Sequence, residues 1–297
     1  MTAKTSKVAL VYTKNHAEGV NKAVRLLNIN PVKGKAVALK PNFNTADPFP
    51  ASTHNDALHA LITMLQELGA ASIVIAERSG PSNTEDVMKE KGIFTMSKKL
   101  GFSLINLDKV DVGSWVHQQP EGSHWVNGFN FARVYAEAEC VVQTCCLKTH
   151  QYGGHFTISL KNSVGMVERS FMKELHKNPY QRQMIAEINT AYTPDLIVMD
   201  GIEAFVSGGP MEGTKAQANV VLAGNDRVAI DAAGVALLRL LGATPEVTRG
   251  AVFQQDQIAR AVELGLGIQS PSAIQFVTED TEGEELAARL KNIILKK

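Results

Sequence analysis

The sequence predicts an α/β protein in which one or two mostly parallel sheets are covered by helices. Strand-like and helix-like segments alternate along the first third of the chain and again after residue 139, as helical crossovers between parallel strands require. The segments at residues 36–39 and 73–76 are apolar without alternation. Such runs are typical of strands that are buried on both faces of a sheet.

The first third of the chain contains three predicted strands and two predicted helices. The strands cover residues 7–12, 35–40 and 72–77, and the helices cover residues 18–27 and 55–68. One face of the second helix carries five apolar side chains, namely Leu58, Leu61, Ile62, Leu65 and Leu68. That spacing predicts a helix that packs against the sheet.

Short aromatic and glycine-containing pieces replace this pattern between residues 104 and 131, where Trp115 and Trp125 lie. They predict a β-rich excursion or a small antiparallel extension. Beyond it the alternation resumes, with strands at residues 139–146, 195–200, 219–224 and 274–278 and helices at residues 181–191, 227–241, 256–264 and from 282 onwards. We expect Asp226 to cap the second of these helices.

The chain shows no repeat, no low-complexity segment and no proline-rich linker. We therefore predict a single α/β unit over residues 1–297, with two interleaved lobes of unlocated boundary as the alternative.

Composition excludes several functional classes. The 297 residues are 44% hydrophobic, and 30 basic residues balance 30 acidic ones. A neutral chain has no overall field that would attract nucleic acid or an anionic membrane surface. No apolar run reaches the roughly 20 residues of a membrane span, and the first eleven residues do not resemble a secretory signal. We expect a cytoplasmic protein.

The three cysteines, Cys140, Cys145 and Cys146, lie in one short segment. Their odd number suits a reducing compartment rather than a disulfide framework. Three thiols also cannot complete an iron-sulfur motif of four ligands.

Four predicted strands run directly into polar side chains, which is the strongest functional signal in the sequence. If these strands are parallel neighbours, their ends open on one edge of the sheet, where ligands bind in this class of fold. The expected cleft contains Lys40, Asn42, Glu77, Lys148, His150, Asp200 and Glu203.

Basic and imidazole side chains dominate the expected site. Lys40, Lys148 and Lys161 are suited to a carboxylate or phosphate group, because each ammonium offers three donors. His150 and His155 are suited to proton transfer or to metal binding near neutral pH. The alternatives are solvated lysines at loop mouths and hydrogen-bonded loop histidines.

We assign the predicted site residues to roles as follows. Catalysis is assigned to Lys148, His150, His155 and Lys161, and substrate binding to Lys40, Asn42, Asn162 and Gly209. Gly209 belongs to the loop at residues 207–214, whose backbone freedom permits close approach to an anion or movement as a lid.

Asp200, Glu203 and Cys145 are the candidate ligands of a divalent metal. Turn formation or helix capping is the alternative for the two carboxylates, and a buried reduced thiol is the alternative for the cysteines. Cys145 and Cys146 are expected to point to opposite faces of their strand. Asp231 lies in an apolar helix and needs a partner, for which we expect a lysine of the cleft.

Common cofactor and nucleophile motifs are absent from the sequence. The glycine pairs match neither the phosphate-binding loop nor the dinucleotide fingerprint, so no nucleotide cofactor is indicated. No nucleophile elbow of the serine hydrolase type is present.

A series of short motifs resembles the bacterial and archaeal family known as domain of unknown function 362. The series runs in order over roughly residues 7 to 270 and comprises Leu39-Lys40-Pro41-Asn42, Thr53-His54, Leu68-Gly69-Ala70, Lys148-Thr149-His150, Ser159-Leu160-Lys161-Asn162 with Gly165, Val198-Met199-Asp200-Gly201-Ile202, Gly209-Pro210 with Gly213, and Asp226 with Asp231. Each motif is weak alone, and the ordered series carries the resemblance.

The chain departs from that family in two respects. Many relatives have a cysteine-rich ferredoxin-like segment that this sequence lacks, so the resemblance does not imply iron-sulfur redox chemistry. Cys145-Cys146-Leu147 also stands where relatives more often have proline and lysine. A fainter similarity, Gly153-Gly154 followed by Lys161, is to the nickel-dependent lactate racemases and bears only on fold and cleft position.

These residues favour an enzyme that binds a small anionic metabolite and moves a proton beside its carboxylate or phosphate group, as an isomerase, racemase or lyase does. The alternatives are an accessory protein that holds a metal, cluster or organic cofactor, and a metal-assisted hydrolase. No nucleic acid or membrane partner is expected. The sequence leaves the oligomeric state open, with a homodimer as one arrangement.

Overall fold

The structure is a computed structural model that describes residues 5–296. Its strands are β1 (Ser6–Tyr12), β2 (Ala36–Lys40), β3 (Ser72–Glu77), β4 (Ser103–Asn106), β5 (Trp115–Gln118), β6 (Phe129–Ala132), β7 (Cys140–His150), β8 (His155–Thr157), β9 (Leu196–Gly208), β10 (Gly213–Gly224) and β11 (Ile274–Val277).

The α-helices are α1 (His16–Leu27), α2 (Asn55–Glu67), α3 (Thr84–Glu90), α4 (Ile93–Leu100), α5 (Arg133–Ala136), α6 (Ser159–Asn162), α7 (Met172–Lys177), α8 (Gln181–Ile188), α9 (Arg227–Leu240), α10 (Pro245–Thr248), α11 (Asp256–Glu263) and α12 (Thr281–Leu295). Short 3-10 turns cover Val112–Ser114, Ser163–Met166, Arg169–Phe171, Asn189–Ala191, Val252–Gln254 and Pro271–Ala273. None of the helices in residues 5–296 combines the length and the apolar character that crossing a membrane requires.

Nine strands form the main sheet, in the order β11-β1-β10-β9-β7-β2-β3-β4, with β8 added beside β7. All of them run in one direction except β10 and β8, which are antiparallel to their neighbours. The predicted mostly parallel, helix-covered α/β fold is therefore confirmed.

Apolar side chains on both faces of the sheet form the core. Along β1, Val8 and Leu10 pack with α9 and α12 on one face, whereas Ala9 and Val11 pack with α1 and α2 on the other. A third apolar cluster joins β2, β3 and β7 to β6, α5 and α8. Burial on both faces explains why these strands are apolar throughout.

The region between residues 104 and 131 is β-rich, as predicted, and β5 pairs with β6 in a separate antiparallel sheet of two strands. β4 lies at its start but belongs to the main sheet, where it pairs in parallel with β3. The expected antiparallel extension therefore begins after β4.

Two expectations about strand ends were wrong. β7 and β9 continue well beyond the predicted ends at residues 146 and 200, because β8 pairs with the end of β7 and β10 pairs with the end of β9. The segment at residues 207–214 is consequently the tip of a long hairpin between β9 and β10 rather than an independent loop. The predicted strand at 219–224 is the second half of β10 and is antiparallel, not a further parallel strand.

Candidate functional site

A cavity of about 460 Å³ opens at the carboxyl ends of β2, β3 and β7, which lie side by side in the sheet. Its polar lining consists of Lys40, Asn42, Asn44, Glu77, Arg78, Lys148, His150, Tyr152, Thr157, Lys161, Asn162, Arg169 and His176. The volume is that of a site for a small molecule. Because these three strands are parallel neighbours, their carboxyl ends meet at one edge of the sheet. Ligands bind at this edge in folds of this class.

Lys40 and Glu77 form a buried ion pair at the ends of β2 and β3. The Lys40 Nζ donates to Glu77 Oε1 at 2.7 Å, to Glu77 Oε2 at 2.8 Å and to the Pro41 carbonyl at 2.7 Å. Glu77 also accepts the backbone N–H groups of Phe43 and Arg78. Burial lowers the pKa of Lys40, and Glu77 opposes that effect. The Lys40 ammonium is thus saturated by protein acceptors.

Lys148 leads a chain of amide contacts across the cavity wall. Its Nζ donates to Asn42 Oδ1 at 2.9 Å and to the Ala51 carbonyl, while Asn42 Nδ2 donates to Asn162 Oδ1 at 3.1 Å. Burial lowers the pKa of Lys148, and a nearby cysteine side chain, Cys146, opposes this. The side chain is fully buried at the end of β7, so any ligand that reaches it is shielded from bulk water.

Lys161 differs from the other two lysines because its amine has no hydrogen-bond or ion-pair partner among residues 5–296, although its side chain lines the cavity. Burial lowers the pKa of Lys161 to about 7, with Lys148 and Arg78 adding to the effect. A substantial fraction of this amine is therefore uncharged near neutral pH, in contrast to an ordinary lysine.

The one-turn helix α6 that carries Lys161 is fixed by buried polar side chains. The Asp231 carboxylate, from α9, accepts the Ser159 N–H at 2.8 Å and the Leu160 N–H at 3.3 Å. Asn189 donates to the Leu160 carbonyl at 3.0 Å. The expectation that a cleft lysine partners Asp231 was wrong, since backbone N–H groups satisfy it. Burial raises the pKa of Asp231 to about 8, against the effect of these N–H donors.

His150 lies beside Lys161 at the end of β7. A Cβ atom on Gly154 would stand 2.8 Å from Lys161 Cε and 2.9 Å from His150 Nδ1, so the missing side chain makes room for both groups. His150 Nδ1 is buried without a hydrogen-bond partner in the described part of the chain. Burial lowers the pKa of His150 well below 6.5, and Lys161 and Lys148 add to this. The imidazole is neutral at pH 7 and can accept a proton.

Three residues that line the cavity are not among the predicted site residues. One comes from the stretch after β3, and two come from the region around α7. Arg78 donates to the Val167 carbonyl at 2.7 Å and to the Ser79 carbonyl at 3.1 Å, which ties that region to β3. Arg169 binds both oxygens of Asp108 at 2.7 Å. His176 Nδ1 donates to the Met172 carbonyl at 2.7 Å. No strand-end signal marks Arg169 or His176 in the sequence, because the chain reaches the cavity there through short helices.

Two predicted residues, His155 and Gly209, lie near the cavity but do not line it. His155 is the β8 partner of His150, and Arg182 and Asp256 are the charges that act on it. Gly209 has φ +69, and a Cβ there would stand 2.1 Å from the Thr149 carbonyl oxygen. It therefore allows the hairpin tip to contact β7, so that Pro210 and Met211 line the cavity.

Asp200 and Glu203 do not join this cavity, so the expected single cleft was wrong in this respect. Asp200 Oδ2 accepts from His16 Nδ1 at 2.6 Å, and the His16 ring stacks on His54 with 3.7 Å between centroids. Glu203 lies in the same separate depression as the two histidines, where it binds Lys215 at 3.1 Å. β9 continues past residue 200, and its pairing with β7 is irregular between Asp200 and Ala204, so both carboxylates lie away from the cavity.

The cysteines lie in the apolar core. Cys145 and Cys146 belong to the clusters on opposite faces of the sheet, as expected from strand alternation. Burial raises the pKa of Cys145 well above 9, so its thiol stays protonated. Within residues 5–296, no three His, Cys, Asp or Glu side chains are grouped so that they could hold a metal ion.

The cavity lining has a marked excess of positive charge. Among the described residues it contains five lysine or arginine side chains, namely Lys40, Arg78, Lys148, Lys161 and Arg169, and one carboxylate, Glu77. Low-dielectric walls lined by one sign of charge attract ligands of the opposite sign. The chemistry available is therefore binding of a small anion together with proton transfer at His150 or Lys161.

Comparison with known proteins places the chain in a family. Among solved structures, the chain is similar to the lactate racemase apoprotein from Thermoanaerobacterium thermosaccharolyticum, with a TM-score of 0.46 and 14% sequence identity over 95% of this chain and 85% of that one. The comparison with curated proteins gave no match. A family model described as Domain of unknown function (DUF362) matches residues 37–236, which carry the strands that form the cavity. Since this match spans most of the chain and confirms the resemblance seen in the motifs, the protein belongs to the Domain of unknown function (DUF362) family.

Proposed function

We propose that the protein is an enzyme that binds a small anionic metabolite in the cavity at the ends of β2, β3 and β7. In this proposal the enzyme moves a proton to or from the carbon beside a carboxylate or phosphate group, as isomerases, racemases and lyases do. The observation that carries the proposal is that His150, whose Nδ1 has no hydrogen-bond partner among residues 5–296, lies in a cavity lining rich in basic side chains.

The charge of the lining supports the choice of an anionic ligand. Glu77 neutralises Lys40 and Asp108 pairs with Arg169, whereas Lys148 and Arg78 have no carboxylate partner among residues 5–296. A bound carboxylate or phosphate would compensate these charges with short, charge-assisted hydrogen bonds. Asn42 and Asn162, which line the same wall, would orient such a ligand.

The state of His150 supports the choice of proton transfer. A general base must be unprotonated at the working pH and must reach the ligand. The lowered pKa of His150 meets the first condition, and its place in the cavity lining is consistent with the second. An enolate that forms during proton abstraction would be stabilised by Lys148, because buried cations lower the energy of developing negative charge.

The metal-dependent alternatives involve other parts of the molecule. Of the expected ligands of a divalent metal, Glu203 lines the separate depression with His16 and His54, and Asp200 is buried and binds His16. Cys145, the third expected ligand, lies in the core. The proposed proton transfer therefore uses none of these three side chains, and neither an accessory role nor a hydrolase mechanism is part of the proposal.

Hydrogen-deuterium exchange tests the proposal. The protein is incubated in D₂O with a panel of small 2-hydroxy carboxylates, 2-oxo carboxylates and phosphate esters. NMR follows the C–H group beside the acid group or, in the 2-oxo acids, the C–H group beside the carbonyl. We expect exchange in at least one compound, and a loss of about 10²–10⁴-fold in the His150→Asn variant, which is the usual contribution of a general base.

His117→Asn is the matched control, because His117 is exposed on β5 and lies outside the cavity. It should exchange at the wild-type rate. Exchange that persists at that rate in His150→Asn, or a cavity that binds none of these anions in calorimetry, would contradict the proposal.

A further inference from the structure

We propose that Lys161 forms a protonated imine with the carbonyl group of a small 2-oxo carboxylate, and that His150 removes the proton from the carbon next to that imine. This inference rests on the proposed function, and it names the substrate class for the same cavity. It follows from the differences between Lys161 and the other lysines of the lining.

Hydrogen bonding separates the three cavity lysines into two kinds. Lys40 has three acceptor contacts from Glu77 and the Pro41 carbonyl, and Lys148 has contacts with Asn42 and the Ala51 carbonyl. Lys161 has none among residues 5–296, although only 8% of the residue is exposed. A lysine whose role is to hold a fixed charge is usually paired, whereas a nucleophilic lysine needs a free electron pair on nitrogen.

The groups that face Lys161 also favour the neutral amine. They are the cations Lys148 and Arg78 and the imidazoles His150 and His176. A neighbouring cation and desolvation are the two arrangements that activate a lysine as a nucleophile toward carbonyl compounds. The pKa of Lys161, which is lowered to about 7, agrees with this geometry.

The rigid support of α6 would hold the amine in one place. Asp231 accepts the N–H groups at the start of this helix and Asn189 binds the carbonyl of Leu160, the residue before Lys161. Gly154 leaves the space in which Lys161 Cε and His150 Nδ1 approach each other. A substrate bound covalently to Nζ would therefore have its reacting carbon beside the imidazole.

The chemical step balances without an added oxidant or reductant. The electron pair of the neutral Lys161 Nζ forms a bond to the carbonyl carbon, and the carbonyl oxygen leaves as water after the uptake of protons. The product is a C=N bond with a protonated nitrogen, which withdraws electrons from the neighbouring C–H bond. His150 takes that proton and leaves an enamine, which can be reprotonated. The substrate carboxylate would remain near Lys148.

Reductive trapping tests this step. Wild-type protein is mixed with pyruvate and cyanoborohydride, which reduces a protonated imine to a stable secondary amine, and peptide mass spectrometry locates the adduct. We expect Lys161 to be modified at least tenfold faster than Lys99, which is exposed on α4. Lys161→Arg should lose the adduct, whereas Lys99→Arg should behave as wild type. Lys161→Met serves as a second variant if the arginine side chain prevents folding, which circular dichroism detects.

Succinate, a dicarboxylate without a carbonyl group, separates the failure of this inference from the failure of the proposed function. It should bind the cavity in calorimetry and slow the modification of Lys161. If succinate binds but pyruvate modifies Lys161 no faster than Lys99, imine formation is rejected and anion binding stands. If neither succinate nor pyruvate binds, the proposed function itself is rejected, and the imine with it.

Discussion

Lys161 places in the cavity an amine that has no partner among residues 5–296, and desolvation of its charged form lowers stability. Replacement by methionine keeps the length of the side chain and removes the amine. Because the pKa of Lys161 is lowered to about 7 in the folded protein, the unfolded chain binds more protons between pH 7 and roughly 10.5. We therefore expect Lys161→Met to raise the free energy of unfolding by on the order of 2–4 kcal/mol at pH 6–7.

The pH dependence of this effect identifies its cause. The penalty of the buried ammonium is fully present below pH 7, and it disappears as the pH rises toward the pKa of an unfolded lysine. Denaturant titrations of wild type and Lys161→Met at pH 6, 8 and 10 should thus converge at the highest pH. A stability difference that does not change with pH would show that packing, rather than charge, distinguishes the two proteins.

Gly154 is expected to control the geometry of the reacting groups. A Cβ atom at this position would stand under 3 Å from Lys161 Cε and His150 Nδ1. The end of the lysine side chain moves easily, but the buried His150 ring must also shift, so Gly154→Ala should lower the free energy of unfolding by about 1–3 kcal/mol. Activity should fall by roughly 10²-fold, since a displacement of about 1 Å in a reacting group costs that much. Steady-state kinetics and thermal melts measure the two effects.

Gly113→Ala is the control for this substitution. Gly113 is exposed, and a Cβ there would contact only an Asp111 oxygen at 3.4 Å. Both activity and melting temperature should stay at wild-type values. Full activity in Gly154→Ala would mean that Lys161 and His150 do not act together.

Residues of the cavity divide into those that the sequence predicts and those that it does not. Lys40, Lys148 and His150 were identified because each follows an apolar strand core, and parallel strand ends meet at one edge. Arg169 and His176 carry no such mark, since they reach the cavity from a 3-10 turn and a short helix far from any predicted strand end. Only the tertiary packing of that segment on β3 places them there.

The element on which the site depends most is α6, which is a single turn and cannot be stable alone. Asp231→Ala would leave two buried N–H groups of α6 without an acceptor, at a cost of about 2–4 kcal/mol. We expect activity to be lost even under conditions in which the variant remains folded. Asp231→Asn keeps an acceptor oxygen and should recover most of the stability and part of the activity.

Asp226→Ala is the matched control for Asp231→Ala. Asp226 also accepts buried N–H groups, from Ala229 and Ile268, but it lies outside the cavity lining. If Asp226→Ala loses a comparable amount of stability but keeps its activity, the loss of activity in Asp231→Ala is explained by a change in the position of Lys161. Equal losses of activity in both variants would assign it to general destabilisation. Chemical denaturation and initial rates, measured on the same samples, give both quantities.

The strand elements show where sequence patterns reach their limit. Apolar cores identify β2, β3, β7 and β9, but the pattern contains no information on which strand lies beside which. β10 is inserted between β1 and β9 in the opposite direction, because the hairpin at residues 207–214 returns the chain directly alongside β9. The continuation of β9 carries Asp200 and Glu203 along the strand and away from the cavity. A boundary error of a few residues thus changed the predicted site.

The whole molecule is organised around one nine-stranded sheet whose two faces carry separate apolar clusters. The sequence left open whether the chain forms one unit or two interleaved lobes. The hydrogen-bonded order from β11 to β4 is continuous, and β10 and β9 lie between β1 on one side and β7, β2 and β3 on the other. From this continuity we predict one unit.

Unfolding experiments can distinguish one unit from two. Leu290 on α12 and Ile93 on α4 are both fully buried, and they lie near opposite ends of the sheet, where their helices contact β1 and β4 respectively. Truncation to alanine at either position should cost about 2–5 kcal/mol. If the sheet unfolds as one unit, both variants lower the temperature of the same single calorimetric transition, with equal calorimetric and van't Hoff enthalpies. Leu295→Ala, at an exposed position on the same helix as Leu290, should leave that transition in place.

Two resolved transitions would instead establish two lobes, if Leu290→Ala lowers the temperature of one and Ile93→Ala lowers the temperature of the other. The cavity, whose walls come from β2, β3 and β7, should then lose its bound anion in the transition that Ile93→Ala affects.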